Sequence, residues 1–379
     1  MTERQHHRTL DIVERLERKS QKKIERRGRR NLGALALLTT TALGLSLYWA
    51  DVHENQQIEE TASTDVDFLY EPLDEANSDS AVVFMDGFGT YDADILTKYL
   101  GPVVQQAVDG ELWSVSYGNA PLNAENITRD IIELAEERDI DRVSLVGYSA
   151  GGIISMQVAE DLLEQTDLKV EAIIPISTPD GTNGLRPARQ EEMKAIDWLG
   201  YIPGSAYSTG VRQVGEMYFR RDQFTEGDPV QNWNNFWKVW NIVGDAIEDE
   251  RIPGTWLLVD QVLAISNANL EARLDAIGDV ESTQQKPVIM YLGTAKPGYD
   301  YMVDDNTSSE NICSYADKAG LQCYIYDVPG AIHTRPDLKN EEYMQTVADA
   351  TDEIQDAIDI EERRLEVLSI ISEIENDEK

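Results

Sequence analysis

Cysteine and histidine are scarce in this chain. Its 379 residues include two cysteines, Cys313 and Cys323, and four histidines. No Cys/His spacing of the zinc-site kind is present, which excludes a zinc centre built on such a motif. Positive charge is equally scarce beyond residue 50. Residues 1–50 hold 11 Lys/Arg and 5 Asp/Glu, a net of +6, whereas the rest holds 22 and 65, a net of −43. A domain this anionic repels phosphate backbones, so nucleic acid is not an expected partner. The acidic residues read as a solvated shell, with cation binding as the alternative. Long apolar runs are also few, and the most extended lies in the 19 charge-free residues from Leu32 to Ala50.

That stretch has the length of a bilayer-spanning helix, in which every backbone group is satisfied internally. Arg26, Arg27, Arg29 and Arg30 precede it, and Tyr48 and Trp49 close it, as expected of a cytoplasmic basic flank and an interfacial aromatic belt. The sequence therefore predicts a basic cytoplasmic segment over 1–31, a transmembrane anchor over 32–50 and an external domain beyond, tethered by an acidic linker over 51–79 with room for an early strand around Phe68 to Tyr70. A cleaved signal peptide is the rival reading, although a charged leader of 30 residues is long for one. An external domain would permit a disulfide between Cys313 and Cys323, subject to helix–strand geometry.

From residue 80 short apolar strands alternate with helical patterns. Ala81–Met85, Leu112–Tyr117, Val143–Val146 and Val170–Ile176 read as strands, with helical stretches between them. The alternation stops at 178 and resumes with strands at Val288–Leu292 and Tyr324–Val328. The fold class is α/β, a mostly parallel central sheet flanked by helices. Its core is predicted over 80–177 and 287–350, interrupted by a cap over 178–286, because connections inside such units are normally a handful of residues. Residues 351–379 form an acidic C-terminal helix. In the cap, Trp233, Phe236, Trp237 and Trp240 fall at helical spacing. That stripe either packs the cap on the core or gives the site an apolar lining, with Trp233, Trp237 and Trp240 as the lining residues.

The strand Val143–Val146 runs into Gly147-Tyr148-Ser149-Ala150-Gly151 and then an apolar helix. A serine on a sharp strand-to-helix turn needs neighbours without side chains, and the helix N-terminus favours negative charge beside it. Ser149 is the candidate nucleophile. Beyond the anchor the histidines are His53, in the tether, and His333, after the last predicted strand, so His333 is the candidate base. The acid should follow the strand ending at Leu292. Asp300 is the first choice, Asp304 and Asp305 are alternatives, and Asp180 after the fourth strand is an outside one.

After the first clear strand comes Asp86-Gly87-Phe88-Gly89. It resembles the His-Gly-x-Gly loop of esterases and lipases, with Asp86 in place of the histidine, and makes the Phe88 amide a partner to that of Ala150 in an oxyanion hole. Ser177-Thr178-Pro179-Asp180-Gly181 resembles a turn of lipase-like proteins. Over residues 80–350 the chain resembles α/β-hydrolases of the lipase/esterase type. The resemblance implies an eight-stranded sheet, a cap over the site, no cofactor and no metal. It further implies a serine hydrolase acting on a small ester or lipid-like substrate. A peptidase or amidase using the same residues, or a silent membrane-displayed binding protein, are the alternatives. Nothing in the sequence indicates the oligomeric state.

Overall fold

The computed structural model describes residues 44–377 apart from 59–61, 119, 201, 226–227, 249–254, 281–283, 295–299 and 334–335. The chain divides into two units, Met1–Glu54 and Asn55–Lys379. In the first, the described residues 44–54 are helical. Most of the expected 32–50 anchor lies outside the described residues, and among those described no helix is long and apolar enough to cross a membrane.

The second unit is built on seven strands: β1 (Asp65–Tyr70), β2 (Ser80–Met85), β3 (Glu111–Ser116), β4 (Arg142–Tyr148), β5 (Lys169–Ile176), β6 (Val288–Thr294) and β7 (Cys323–Val328). They lie in the order β1-β3-β2-β4-β5-β6-β7, parallel except β1, which runs antiparallel to β3. Eight strands were implied by the resemblance; seven are found among the described residues. Strand alternation sends Val83 and Met85 to one face and Val82 and Phe84 to the other, and both faces are buried. The first face is covered by α2 (Ala124–Arg138), α3 (Ala150–Gln165), α8 (Thr255–Ser266), α9 (Leu270–Gly278) and α10 (Asp305–Lys318), the second by α1 (Asp94–Val104) and α11 (Asn340–Asp377). Cys313 and Cys323 are joined, tying α10 to the start of β7.

Three expectations need correction. The acidic stretch 51–79 is not a plain linker, since residues 51–58 are helical and the early strand expected around Phe68 to Tyr70 is longer, Asp65–Tyr70, and forms the edge of the sheet. Val66 is buried there while Asp65 and Asp67 face water, the alternation of a strand with one wet face. The segment 178–286 is not all cap. Its helices α4 (Pro187–Gly200), α5 (Thr209–Phe219), α6 (Asp222–Thr225) and α7 (Pro229–Glu248) precede α8 and α9, whose Trp256, Leu257, Val262, Leu270 and Leu274 belong to the main core. The tryptophans of α7 do not form an enclosed lining. Trp233 and Trp237 are 61% and 45% exposed, while Trp240 and Phe236 pack on a separate small cluster of Met217, Val239 and Val243. The aromatic stripe is wider than the face that α5 and α6 cover, so its first turns stay outside.

Candidate active site

The site assembles at the C-terminal ends of the parallel strands, where loops in open α/β sheets converge. Ser149 joins β4 to α3 with φ 54° and ψ −123°, a left-handed conformation strained for a residue with a Cβ. Its N–H donates to the Ile176 carbonyl at 2.8 Å, fixing the bend to β5. The bend is possible because its neighbours are glycines: a Cβ on Gly147 would strike the backbone of Gly151 and Gly152, and one on Gly152 would strike Thr178. The sequence motif thus becomes a geometric necessity.

Ser149, Asp300 and His333 are brought together. Ser149 Oγ lies 2.8 Å from His333 Nε2, and Asp300 Oδ2 lies 2.6 Å from His333 Nδ1. A carboxylate can only accept, so Nδ1 carries the proton and donates to Asp300; in the neutral ring Nε2 is left to accept the serine hydroxyl. Asp300 is fully buried and its Oδ1 accepts the N–H groups of Met302 and Val303 at 2.7 and 2.8 Å. Those two bonds hold the carboxylate in one orientation. The Tyr148 ring lies 5.5 Å from the imidazole, tilted at 41° to it.

The alternative acids are placed elsewhere. Asp304 pairs with Arg186 at 3.1 Å. Asp305 is buried, accepting the Tyr291 hydroxyl at 2.8 Å on one oxygen and the Thr294 hydroxyl at 2.8 Å and amide at 3.1 Å on the other. Burial, then the charge of Asp300, pushes its carboxyl up to about 6. Asp180 accepts from Asn311 Nδ2 at 2.6 Å.

The 86–90 loop lies against the elbow so closely that a Cβ on Gly87 would approach Ser149 Cβ and the Tyr148 carbonyl to 2.8 Å. Within it the Gly87 N–H donates to Asp86 Oδ1 at 2.6 Å and the Gly89 N–H to Gln261 Oε1 at 2.8 Å. The Phe88 N–H between them donates to no protein group among the described residues. Ala150 opens α3, so its N–H likewise has no acceptor within the helix. Two amides without a protein acceptor among the described residues thus lie in the elbow and in the loop packed against it. Burial pushes the Asp86 carboxyl up to about 6, opposed by its bond from Gly87.

Several supports were not legible in the sequence. Arg186 sits at the start of the insertion and clamps the acid loop: its N–H donates to the Met302 carbonyl at 2.9 Å and its Nε to the Asp300 carbonyl at 3.2 Å. Tyr117 donates to the Asp86 carbonyl at 2.7 Å, and Thr90 Oγ1 to the Gly87 carbonyl at 2.9 Å. Asp260 and Gln261, adjacent on α8, reach two separate loops. Partners so distant in the chain leave no local pattern. Among the described residues no group of three or more His, Cys, Asp or Glu is arranged to hold a metal ion.

The strand order, the β4–Ser149–α3 elbow and the chain order Ser, Asp, His define an α/β-hydrolase fold. No family model and no curated protein matches the sequence. Solved structures similar to this chain include hydrolases and esterases of low sequence identity. One is a highly thermostable carboxyl esterase from Bacillus coagulans, 13% identical, covering 78% of this chain and 100% of its own, with a TM-score of 0.48. A second is a hydrolase from Pseudomonas aeruginosa, 15% identical, covering 76% and 92%, with a TM-score of 0.43. A third is a bacterial membrane phospholipase A, 16% identical, covering 86% and 99%, with a TM-score of 0.45.

Proposed function

We propose that this protein is a serine hydrolase that cleaves carboxylic esters through an acyl-enzyme. The observation that carries the reading is the continuous chain Ser149 Oγ, His333 Nε2, His333 Nδ1, Asp300 Oδ2, with contacts of 2.8 and 2.6 Å, set on a strained elbow. His333 accepts the Ser149 proton as Oγ bonds to the ester carbonyl carbon, whose π pair moves onto oxygen. The amides of Phe88 and Ala150 stabilise that oxyanion. On collapse the ester C–O bond breaks and His333 returns the proton to the departing alcohol. Water then attacks the acyl group, again giving its proton to His333, and the acid leaves as Ser149 recovers its own. Asp300 keeps Nδ1 protonated and favours the imidazolium throughout.

The test is turnover of short nitrophenyl esters together with labelling by a fluorophosphonate. Ser149→Ala should abolish both, and His333→Ala should lower kcat by several orders of magnitude. Asp300→Asn should cost about 10⁴-fold in kcat by favouring the wrong tautomer, whereas Asp305→Asn should leave more than a tenth of it. Full activity in the serine or histidine variant would sink the reading.

Tethering is the second part of the proposal. The charge-free run 32–50 behind a cluster of four arginines supports a single-pass anchor with its N-terminus cytoplasmic. The chain should stay with membranes through alkaline carbonate extraction; release into the supernatant would refute the anchor.

A further inference from the structure

Gln261 is fully buried, in the middle of α8. Its amide group is engaged on both sides. Oε1 accepts the Gly89 N–H at 2.8 Å, and Nε2 donates to the Gly87 carbonyl at 3.3 Å and to the Thr90 carbonyl at 3.4 Å. All three partners lie in the loop that adjoins Ser149 and are more than 170 residues away in sequence. A side chain that spans a loop from Gly87 to Thr90 fixes the orientation of the peptide planes between them.

The consequence falls on Phe88. Asp86 occupies the Gly87 amide and Gln261 occupies the Gly89 amide, and the Phe88 N–H between them has no protein acceptor among the described residues. Gly89 has φ 88°, a conformation the bare loop would leave freely because glycine has many others. α8 is itself anchored: Trp256, Leu257, Val262 and Ile265 are buried in the main core, and the neighbouring Asp260 accepts the Leu122 N–H at 3.1 Å. The staple therefore transmits the rigidity of the core to a loop that would otherwise be held by its ends.

We propose that Gln261 is a positioning residue, holding the 86–90 loop so that the Phe88 amide meets the oxyanion formed at Ser149. This rests on the hydrolase reading above. It requires an amide side chain in particular. Leucine would fill a similar space but offer nothing to either side of the loop, and glutamate would keep the acceptor for Gly89 while losing the donor for Gly87 and Thr90. An uncorrected tilt of one oxyanion donor should act on the transition state and not on ground-state binding.

The experiment uses the full-length protein and p-nitrophenyl acetate. Gln261→Leu should lower kcat by about tenfold to a hundredfold, with KM within about twofold of wild type. Gln261→Glu should be near wild type in fold, with kcat falling further as pH rises through the ionisation of the new carboxyl, because the added charge opposes the oxyanion. Hydrogen exchange of the peptide spanning residues 86–90 should accelerate in both variants, a readout that needs no activity. Wild-type kcat in folded Gln261→Leu, or a lowered melting temperature with kcat and exchange unchanged, would overturn the inference while leaving the hydrolase reading intact. A wild-type protein that neither turns over ester nor takes the fluorophosphonate would remove both. Should Gln261→Leu fail to fold, the pH profile of Gln261→Glu decides alone, and a flat difference from wild type overturns the proposal.

Discussion

Asp86 opens the loop packed against Ser149, and the cost of burying it is visible in its acidity. Burial raises its carboxyl from 3.8 to about 6. The folded chain thus binds this proton more tightly than the unfolded chain does. Folded stability from this group is complete below pH 4 and is lost as pH rises towards 6. The gap corresponds to about 3 kcal/mol. Asp86→Asn keeps an acceptor for the Gly87 N–H without the charge, so it should be more stable than wild type at pH 8 by up to that amount, with the difference vanishing near pH 4. Urea unfolding at the two pH values tests this, and a pH-independent difference would contradict it. At this scale the sequence is informative where chemistry and local context coincide. Ser149 sits in a glycine frame, and Asp300 and His333 each follow a strand. Gln261 and Arg186 carry no such frame, since their partners are loops reached only through the fold.

Cys313 and Cys323 show how an element boundary can be fixed covalently. The bond links the second half of α10 to the first residue of β7, across a separation of ten residues. Closing a loop of that size restricts the unfolded chain by about 3 kcal/mol in the loop-entropy view. Replacing both cysteines by alanine should lower the urea midpoint accordingly while leaving ester turnover in place, since α10 is also held by Ile312 and Ala316 in the core. An unchanged midpoint would show that native packing alone sets this junction. The β–α alternation was readable because buried parallel strands are apolar throughout. The edge strand Asp65–Tyr70 was visible only in its second half, Phe68 to Tyr70, because Asp65 and Asp67 look like residues of a tether until the pairing Val66 to Val115 is seen. The α7 stripe gave the helix correctly but not its environment, which depends on how much of that face α5 and α6 cover. Similarly, Tyr343, Val347 and Ile354 of α11 are buried, whereas Val367, Ile370 and Ile374 further along are exposed.

The molecule as a whole carries a net charge of −37, with a pI of about 4.3. Ion pairs such as Arg138–Glu111 and Arg273–Glu160 exist, but beyond residue 50 there are only 22 basic residues for 65 acidic ones. Repulsion among unpaired carboxylates therefore outweighs attraction, and the compact state suffers most because its charges are closest. Raising sodium chloride from about 0.1 M to about 1 M shortens the screening length from about 10 Å to about 3 Å. The melting temperature should rise by several degrees over that range in a scan of the protein at pH 7.5; a constant or falling value would mean that paired charges dominate.

The two ends of the insertion have been described by what they touch: Arg186 at its beginning reaches the Asp300 loop, and Gln261 near its end reaches the Gly87 loop. An engineer who treated the 178–286 segment as a detachable hood, to be trimmed or exchanged for another, would cut both guy-ropes of the reaction centre. Any graft that alters only residues 187–248 leaves both of those anchors in place.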